Sequence, residues 1–142
     1  MINHAWTVIC EKSIIDRDTN NVSLDVLEQV NFKMPLLPKE IEGIIIPLRV
    51  EIVSLWYCER EEKGTKGTGR LRIETPNKKE VANVKIDIDF TSSCRHRTRN
   101  RLDGLPVPKE TSGYFNFIIE IKSGDHWREV SRVPLEVTLD TD

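Results

Sequence analysis

Hydrophobic and polar positions alternate with a period of two in segment after segment of this chain. The cleanest example runs from Val84 to Phe90, apolar at 84, 86, 88 and 90 and charged at 85, 87 and 89. That period marks a strand with one buried face and one solvated face. The pattern predicts a strand over Trp6 to Glu11, with Trp6, Val8 and Cys10 on one face. It predicts another over Val22 to Phe32, with Val22, Leu24, Val26, Val30 and Phe32 inward. Asp16 to Asn21 joins the two as a hairpin turn, because Asp and Asn bond their own backbone and tolerate left-handed conformations.

Met34 to Pro38 breaks the alternation, and Lys39 to Glu42 reads as one short helical turn. A long strand follows from Pro47 to Glu59, apolar on both faces at Val53 to Tyr57 as a central strand is. Gly64 to Gly69 reads as a flexible hairpin loop ahead of a strand over Arg70 to Thr75. After the Val84 strand comes a polar, basic segment, Ser92 to Arg101. Pro106 and Pro108 keep the next stretch out of a central strand. Gly113 to Ile121 and Arg132 to Leu139 complete the set, with a tight turn at Ser123 to Asp125.

Seven or eight strands with no helix of three turns predict an all-β fold. The expected architecture is a single domain over residues 1–142, an immunoglobulin-like sandwich of two antiparallel sheets. An OB-like barrel is the alternative.

Composition narrows the function classes more than it selects one. Twenty-one basic and 23 acidic side chains nearly cancel, so no global field favours nucleic acid or a membrane surface. The longest apolar run, Ile44 to Leu48, is far below the roughly 20 residues of a membrane-spanning helix. The amino terminus lacks the basic and apolar regions of a signal peptide, and the expected location is the cytoplasm. Cys10, Cys58 and Cys94 are widely spaced and read as free thiols, with a disulfide between two of them as the alternative.

One segment departs from this even distribution. Arg95, Arg97, Arg99 and Arg101 alternate with His96, Thr98 and Asn100. In an extended strand all four guanidiniums share one face, a stripe about 20 Å long at roughly 3.3 Å per residue. The plainest account is a solvated edge strand whose like charges discourage pairing with another edge, with Glu59, Glu61 and Glu62 available to neutralise it. The stripe also suits an acidic protein partner or the phosphates of a nucleic acid. No aromatic residue interleaves the arginines as a base-stacking platform requires.

The remaining motifs are weaker. The glycines of Gly64 to Gly69 precede a strand and not the helix that a phosphate loop needs. Asp16, Asp18 and Asn20 match the first ligand positions of a calcium loop, but Asn21 and Leu27 stand where glycine and a bidentate glutamate are required. His4, His96 and His126 lack metal-ligand spacing, and no nucleophile motif is present. No metal, cofactor or catalytic residue is expected. Trp6, Trp56 and Trp127 read as core or rim aromatics, with a tryptophan-lined cleft as the alternative.

Strand and turn patterns over most of the chain resemble those of an uncharacterised family of small bacterial β-sandwich proteins, a domain of unknown function. The residues that carry the likeness are Val8 to Cys10, Val22 to Leu24, Val26 to Phe32, Pro35 to Pro38 and Pro47 to Val50. Ile73 to Pro76, Ser112 to Phe115 and Pro134 to Val137 complete it. The resemblance implies an immunoglobulin- or C2-like fold and carries over no catalytic residue. The expectation is a non-enzymatic binding module that meets a protein partner, or a second copy of itself, through edge strands. The alternative is nucleic-acid binding through Arg95 to Arg101.

Overall fold

The computed structural model describes residues 1–34, 37–109 and 111–141. The fold is all-β: among the described residues eleven strands lie in three sheets. They are β1 (Asn3–Ile15), β2 (Val22–Val26), β3 (Gln29–Met34), β4 (Gly43–Ile46), β5 (Val50–Tyr57) and β6 (Lys66–Glu74). After them come β7 (Glu80–Asp89), β8 (Arg95–Leu102), β9 (Leu105–Pro108), β10 (Gly113–Ser123) and β11 (His126–Thr141). The first sheet has the order β2-β1-β5-β8, the second β3-β11-β10-β6-β7, and the third pairs β4 with β9.

Alternation along the strands builds the interior. Ile86, Ile88 and Phe90 bury the face foreseen for the Val84 strand, and Phe115, Phe117, Ile119 and Ile121 do the same on β10. They meet Ile9, Ile52 and Trp56 of the first sheet and Leu105 and Val107 of the third in one hydrophobic cluster. At β10–β11 the turn is two residues, with Gly124 at φ 61, a conformation that costs glycine nothing.

Four expectations need correction. The Val22 to Phe32 stretch is two strands in different sheets. β2 pairs antiparallel with β1, and β3 pairs parallel with β11. The chain changes sheet at Leu27 and Glu28, where the Leu27 amide bonds to the Ile9 carbonyl at 2.9 Å and the Glu28 carbonyl accepts from the Glu136 amide at 3.1 Å. The period of two is interrupted only at Leu27 and Glu28 and resumes in the same phase at Val30, so the stretch reads as one strand. Val26 is accordingly exposed and not inward.

The long strand expected from Pro47 starts only at Val50, after a turn in which the Leu48 amide bonds to the Ile46 carbonyl at 2.7 Å. Gly67 and Gly69 belong to β6 and not to a loop. A Cβ on Gly69 would lie 3.0 Å from the Glu120 carbonyl oxygen, and one on Gly67 would meet the Ile2 side chain. They are glycines of close approach. Lastly, among the described residues eleven strands in three sheets replace seven or eight in two, because the Val22 to Phe32 stretch divides into β2 and β3 and because β4 and β9 form an added two-stranded ribbon. Residues 35 and 36 of the expected break at Met34 to Pro38 lie outside the described residues.

Candidate functional site

The arginine run forms β8, an edge strand of the first sheet paired only with β5. Alternation holds along it. Thr98 is buried and accepts a 3.0 Å hydrogen bond from the indole nitrogen of Trp56. That bond anchors the inner face of β8 to β5. Arg95, Arg97, Arg99 and Arg101 stand on the other face, in register with Tyr57, Leu55, Val53 and Glu51 of β5.

The outer face is not a flat row of free charges. Arg97 Nη2 donates to the Asn20 carbonyl at 3.4 Å, and Arg99 Nη1 donates to Ser13 Oγ at 3.0 Å. The two middle arginines thus reach across the sheet to β1 and to the β1–β2 turn. Ser13 in turn donates to a Glu51 carboxylate oxygen at 2.5 Å. Arg95, Arg99 and Arg101 are exposed, and Arg97 is half-buried.

Charge pairing along the stripe is sparse. Arg101 Nε lies 3.9 Å from the exposed Asp103 carboxylate. Among the described residues no carboxylate lies within 4.0 Å of Arg95, Arg97 or Arg99. The acidic residues expected to neutralise the run do not reach it: Glu62 pairs with the amino terminus, and neither Glu59 nor Glu61 forms an ion pair with β8.

At the Arg95 end the face deepens into a cleft of about 590 Å3 between β8 and the β1–β2 turn. Trp6 and Leu55 form apolar wall, Arg95 and Arg97 line one side, and Asn20 and Asn21 line the other. The turn is held by its own side chains. Asp16 Oδ1 accepts from the amides of Asp18 at 2.8 Å and Thr19 at 3.1 Å, and Asn20 takes a left-handed φ of 60. Those amide bonds hold the Asp16 carboxyl below its ordinary pKa. Of the residues that resemble a calcium loop, Asp16 therefore serves to hold the turn that forms a wall of the cleft. Arg97 Nε is buried without a hydrogen-bond partner.

The remaining polar side chains of interest lie elsewhere. His4 Nε2 is 2.6 Å from Thr7 Oγ1, which is 2.7 Å from Ser54 Oγ. His4 packs edge-on against Trp56 with ring centroids 5.1 Å apart. Burial outweighs a backbone hydrogen bond at Trp6 and lowers its pKa, which favours the neutral imidazole. Ser54 is 1% exposed whereas His4 and Thr7 are half-buried, so this chain of polar groups runs inward from the surface. All three cysteines are free. Cys58 and Cys94 are neighbours at the end of the β5–β8 pair, where the Cys58 amide bonds to the Cys94 carbonyl at 2.9 Å. Burial and the adjacent Cys94 thiol raise the pKa of Cys58.

Among the described residues no group of three or more histidine, cysteine or acidic side chains is placed to hold a metal ion. No helix among them is long and apolar enough to cross a membrane. Among the described residues three of the four sequence-predicted arginines thus lack a direct ion pair, and Arg99 reaches the Glu51 carboxylate only through the Ser13 hydroxyl. The cleft beside them was not legible in advance, because it depends on the β1–β2 turn folding back toward a strand some 75 residues further on, as the contact between Asn20 and Arg97 shows. No protein-family model matches the chain, and no curated protein matches it.

Proposed function

We propose that this protein is a non-enzymatic binding module whose contact surface is β8, and that the occupant of that surface is an acidic, extended segment of a protein partner. The observation that carries the reading is the edge position of β8 together with three arginines that, among the described residues, have no carboxylate within 4.0 Å. An exposed edge offers unpaired backbone donors and acceptors for strand addition. Acidic residues at alternate positions of an added strand would meet the arginines on one face. A second copy added through β8 would set arginines against arginines, which is unfavourable. The homo-oligomer reading therefore gains nothing from this edge.

The architecture that supports the reading is an immunoglobulin-like sandwich of the four- and five-stranded sheets, with the β4–β9 ribbon as an addition at one end. One hydrophobic cluster shared by the sheets supports it. So does the resemblance to the bacterial β-sandwich family, which carries no assigned activity. The polar chain from His4 to Ser54 has no carboxylate to orient the histidine, so it supports a structural role.

A fluorescent eight-residue peptide of alternating glutamate and valine tests the proposal by anisotropy. It is expected to bind at low salt, to weaken as salt rises, and to lose at least tenfold in affinity when Arg99 and Arg101 are both replaced by glutamate. Absence of binding, or binding indifferent to that reversal, overturns it. If a single-stranded oligonucleotide binds in an arginine-dependent manner and the peptide does not, phosphate-backbone recognition replaces the protein-partner reading.

A further inference from the structure

The cleft at the Arg95 end differs in kind from the rest of the arginine face, because it combines two guanidiniums with apolar walls. We infer that it is a binding site for an aryl phosphate, with Trp6 and Leu55 against the aromatic ring and Arg95 and Arg97 on the phosphate. The inference shares its arginines with the acidic-segment reading but does not rest on it, since a small aromatic phosphate has no strand to add.

The first support is the missing acceptor at Arg97. Its Nε is buried without a partner while its Nη2 is already held by the Asn20 carbonyl. A buried guanidinium donor left unsatisfied is costly, and an oxyanion in the cleft, which Arg recognises with paired donors, relieves that cost when the Arg97 side chain turns its Nε toward it. One water would satisfy one donor, but a water's share of volume is roughly 30 Å3, against about 590 Å3 for the cleft. That volume falls in the usual range of small-molecule sites, roughly 300–1,000 Å3.

The second support is the charge balance. No aspartate or glutamate lines the cleft, so the two arginines present two positive charges without internal compensation. A phosphate monoester carries about −1.5 to −2 at neutral pH, which matches them where a single carboxylate does not. Arg95 and Arg97 project from alternate positions of one strand, roughly 6–7 Å apart along it. That spacing is short enough for two long side chains to reach a single phosphate in the cleft they both line. The third support is the floor beside the arginines, where Leu55, in register with Arg97, and the half-buried Trp6, in register with Leu55, favour a flat apolar body over a hydrated ion.

The test is a titration of the 15N-labelled full chain with phenyl phosphate, read on its tryptophan indole N–H signals, with inorganic phosphate and phenylacetate as controls. Phenyl phosphate is expected to move the Trp6 signal and leave that of Trp127, and to half-saturate at a concentration at least tenfold below either control. Arg97→Gln should weaken it at least tenfold, whereas Arg101→Gln, outside the cleft, should change it less than twofold. Equal affinity for phenyl phosphate and inorganic phosphate overturns the inference. So does an equal loss in both variants, which would mark diffuse attraction only. The wild-type comparison stands even if Arg97→Gln fails to fold. An uncharged peptide containing one phosphotyrosine distinguishes the sources: tenfold tighter binding than phenyl phosphate assigns the group to a protein, and equal binding assigns a small aromatic phosphate. Phenyl phosphate binding without acidic-peptide binding sinks the strand-addition reading and leaves this one intact.

Discussion

Two strands of this protein carry arginines at alternate positions, and their surroundings are opposite. On β6, Arg70 and Arg72 bracket Glu120, a carboxylate only 7% exposed. Arg70 Nε lies 2.9 Å from it, and Arg72 Nε bonds to the same oxygen. Arg72 also reaches Glu74 and Glu80 at 3.4 Å each, Arg132 joins through Glu74 and Glu129, and Arg70 stacks 4.1 Å from the Trp127 ring centre. On β8 the arginines lie at an edge and, among the described residues, the one carboxylate within 4.0 Å is that of Asp103 beside Arg101. The difference separates arginines that stabilise a fold from arginines left free to meet something else. β6 is flanked by β7 and β10, so its outward charges have neighbours on both sides to pair with. β8 is hydrogen-bonded on one side only, and its other edge faces β7 of the second sheet without pairing with it.

Breaking the β6 network should produce the largest effect. Glu120→Ala leaves two adjacent guanidiniums facing each other without their shared acceptor. The expected loss is on the order of 2–4 kcal/mol, toward the lower end because both arginines are partly exposed to water. Urea denaturation checks it, with a lowered midpoint and an unchanged slope. A loss under about 0.5 kcal/mol, the size of an ordinary surface change, would erase the contrast between the two faces.

The same carboxylate provides a pH test of the comparison. Burial alone would raise its pKa, but hydrogen bonds from Arg70 and Arg72, with their charges, hold it below the ordinary value of 4.5. A folded-state pKa below the unfolded one contributes stability that is fully present above 4.5 and is lost as pH falls through the depressed value. Acid denaturation should therefore separate wild type from Glu120→Ala most widely at neutral pH, and the two curves should converge below pH 4.5. Parallel curves down the acid limb would place the pairing energy elsewhere.

The sequence made the two faces unequally legible. The core of β7 and β10 could be read directly, since Ile86, Ile88, Phe115 and Phe117 bury the face their alternation marks. The stripe on β8 was equally plain, because an extended run places alternate residues together whatever the fold. What escaped is everything set by pairing between distant segments. The step from one sheet to the other shows only as the out-of-phase pair Leu27 and Glu28, after which the alternation resumes in the same phase, and Gly67 and Gly69 resemble a loop until Ile2 and Glu120 approach them. The ion pairs of Arg70 and Arg72 with Glu120 span 50 and 48 residues, so no local pattern distinguishes them from the unpaired arginines of β8.

An intermediate effect belongs to the inner side of β8. If its arginines contribute little to holding the strand, the anchor must be Thr98, whose hydroxyl accepts from the Trp56 indole in the interior. Thr98→Val keeps the shape and removes the acceptor. It should cost about 1–2 kcal/mol, the price of a buried N–H without a partner. Loss of amide protection from hydrogen exchange along β5 and β8, with β10 and β11 unaffected, would locate the weakness. Uniform loss across both large sheets would show instead that β8 is not a separable edge.

The smallest effect is the most informative about the outer face. Arg99 and Arg101 are exposed, and their partners are a hydroxyl at 3.0 Å and an exposed carboxylate at 3.9 Å. Exposed pairs of this kind contribute about 0–1 kcal/mol. Replacing both by glutamine removes two like charges from one strand face as well, which offsets part of any loss. The double variant should therefore match wild type within about 0.5 kcal/mol, while Glu120→Ala falls far below it in the same urea series. A double variant as unstable as Glu120→Ala would mean that the β8 stripe holds the fold together as the β6 network does. Both faces would then be structural, and the free charge at the edge would no longer point to a partner.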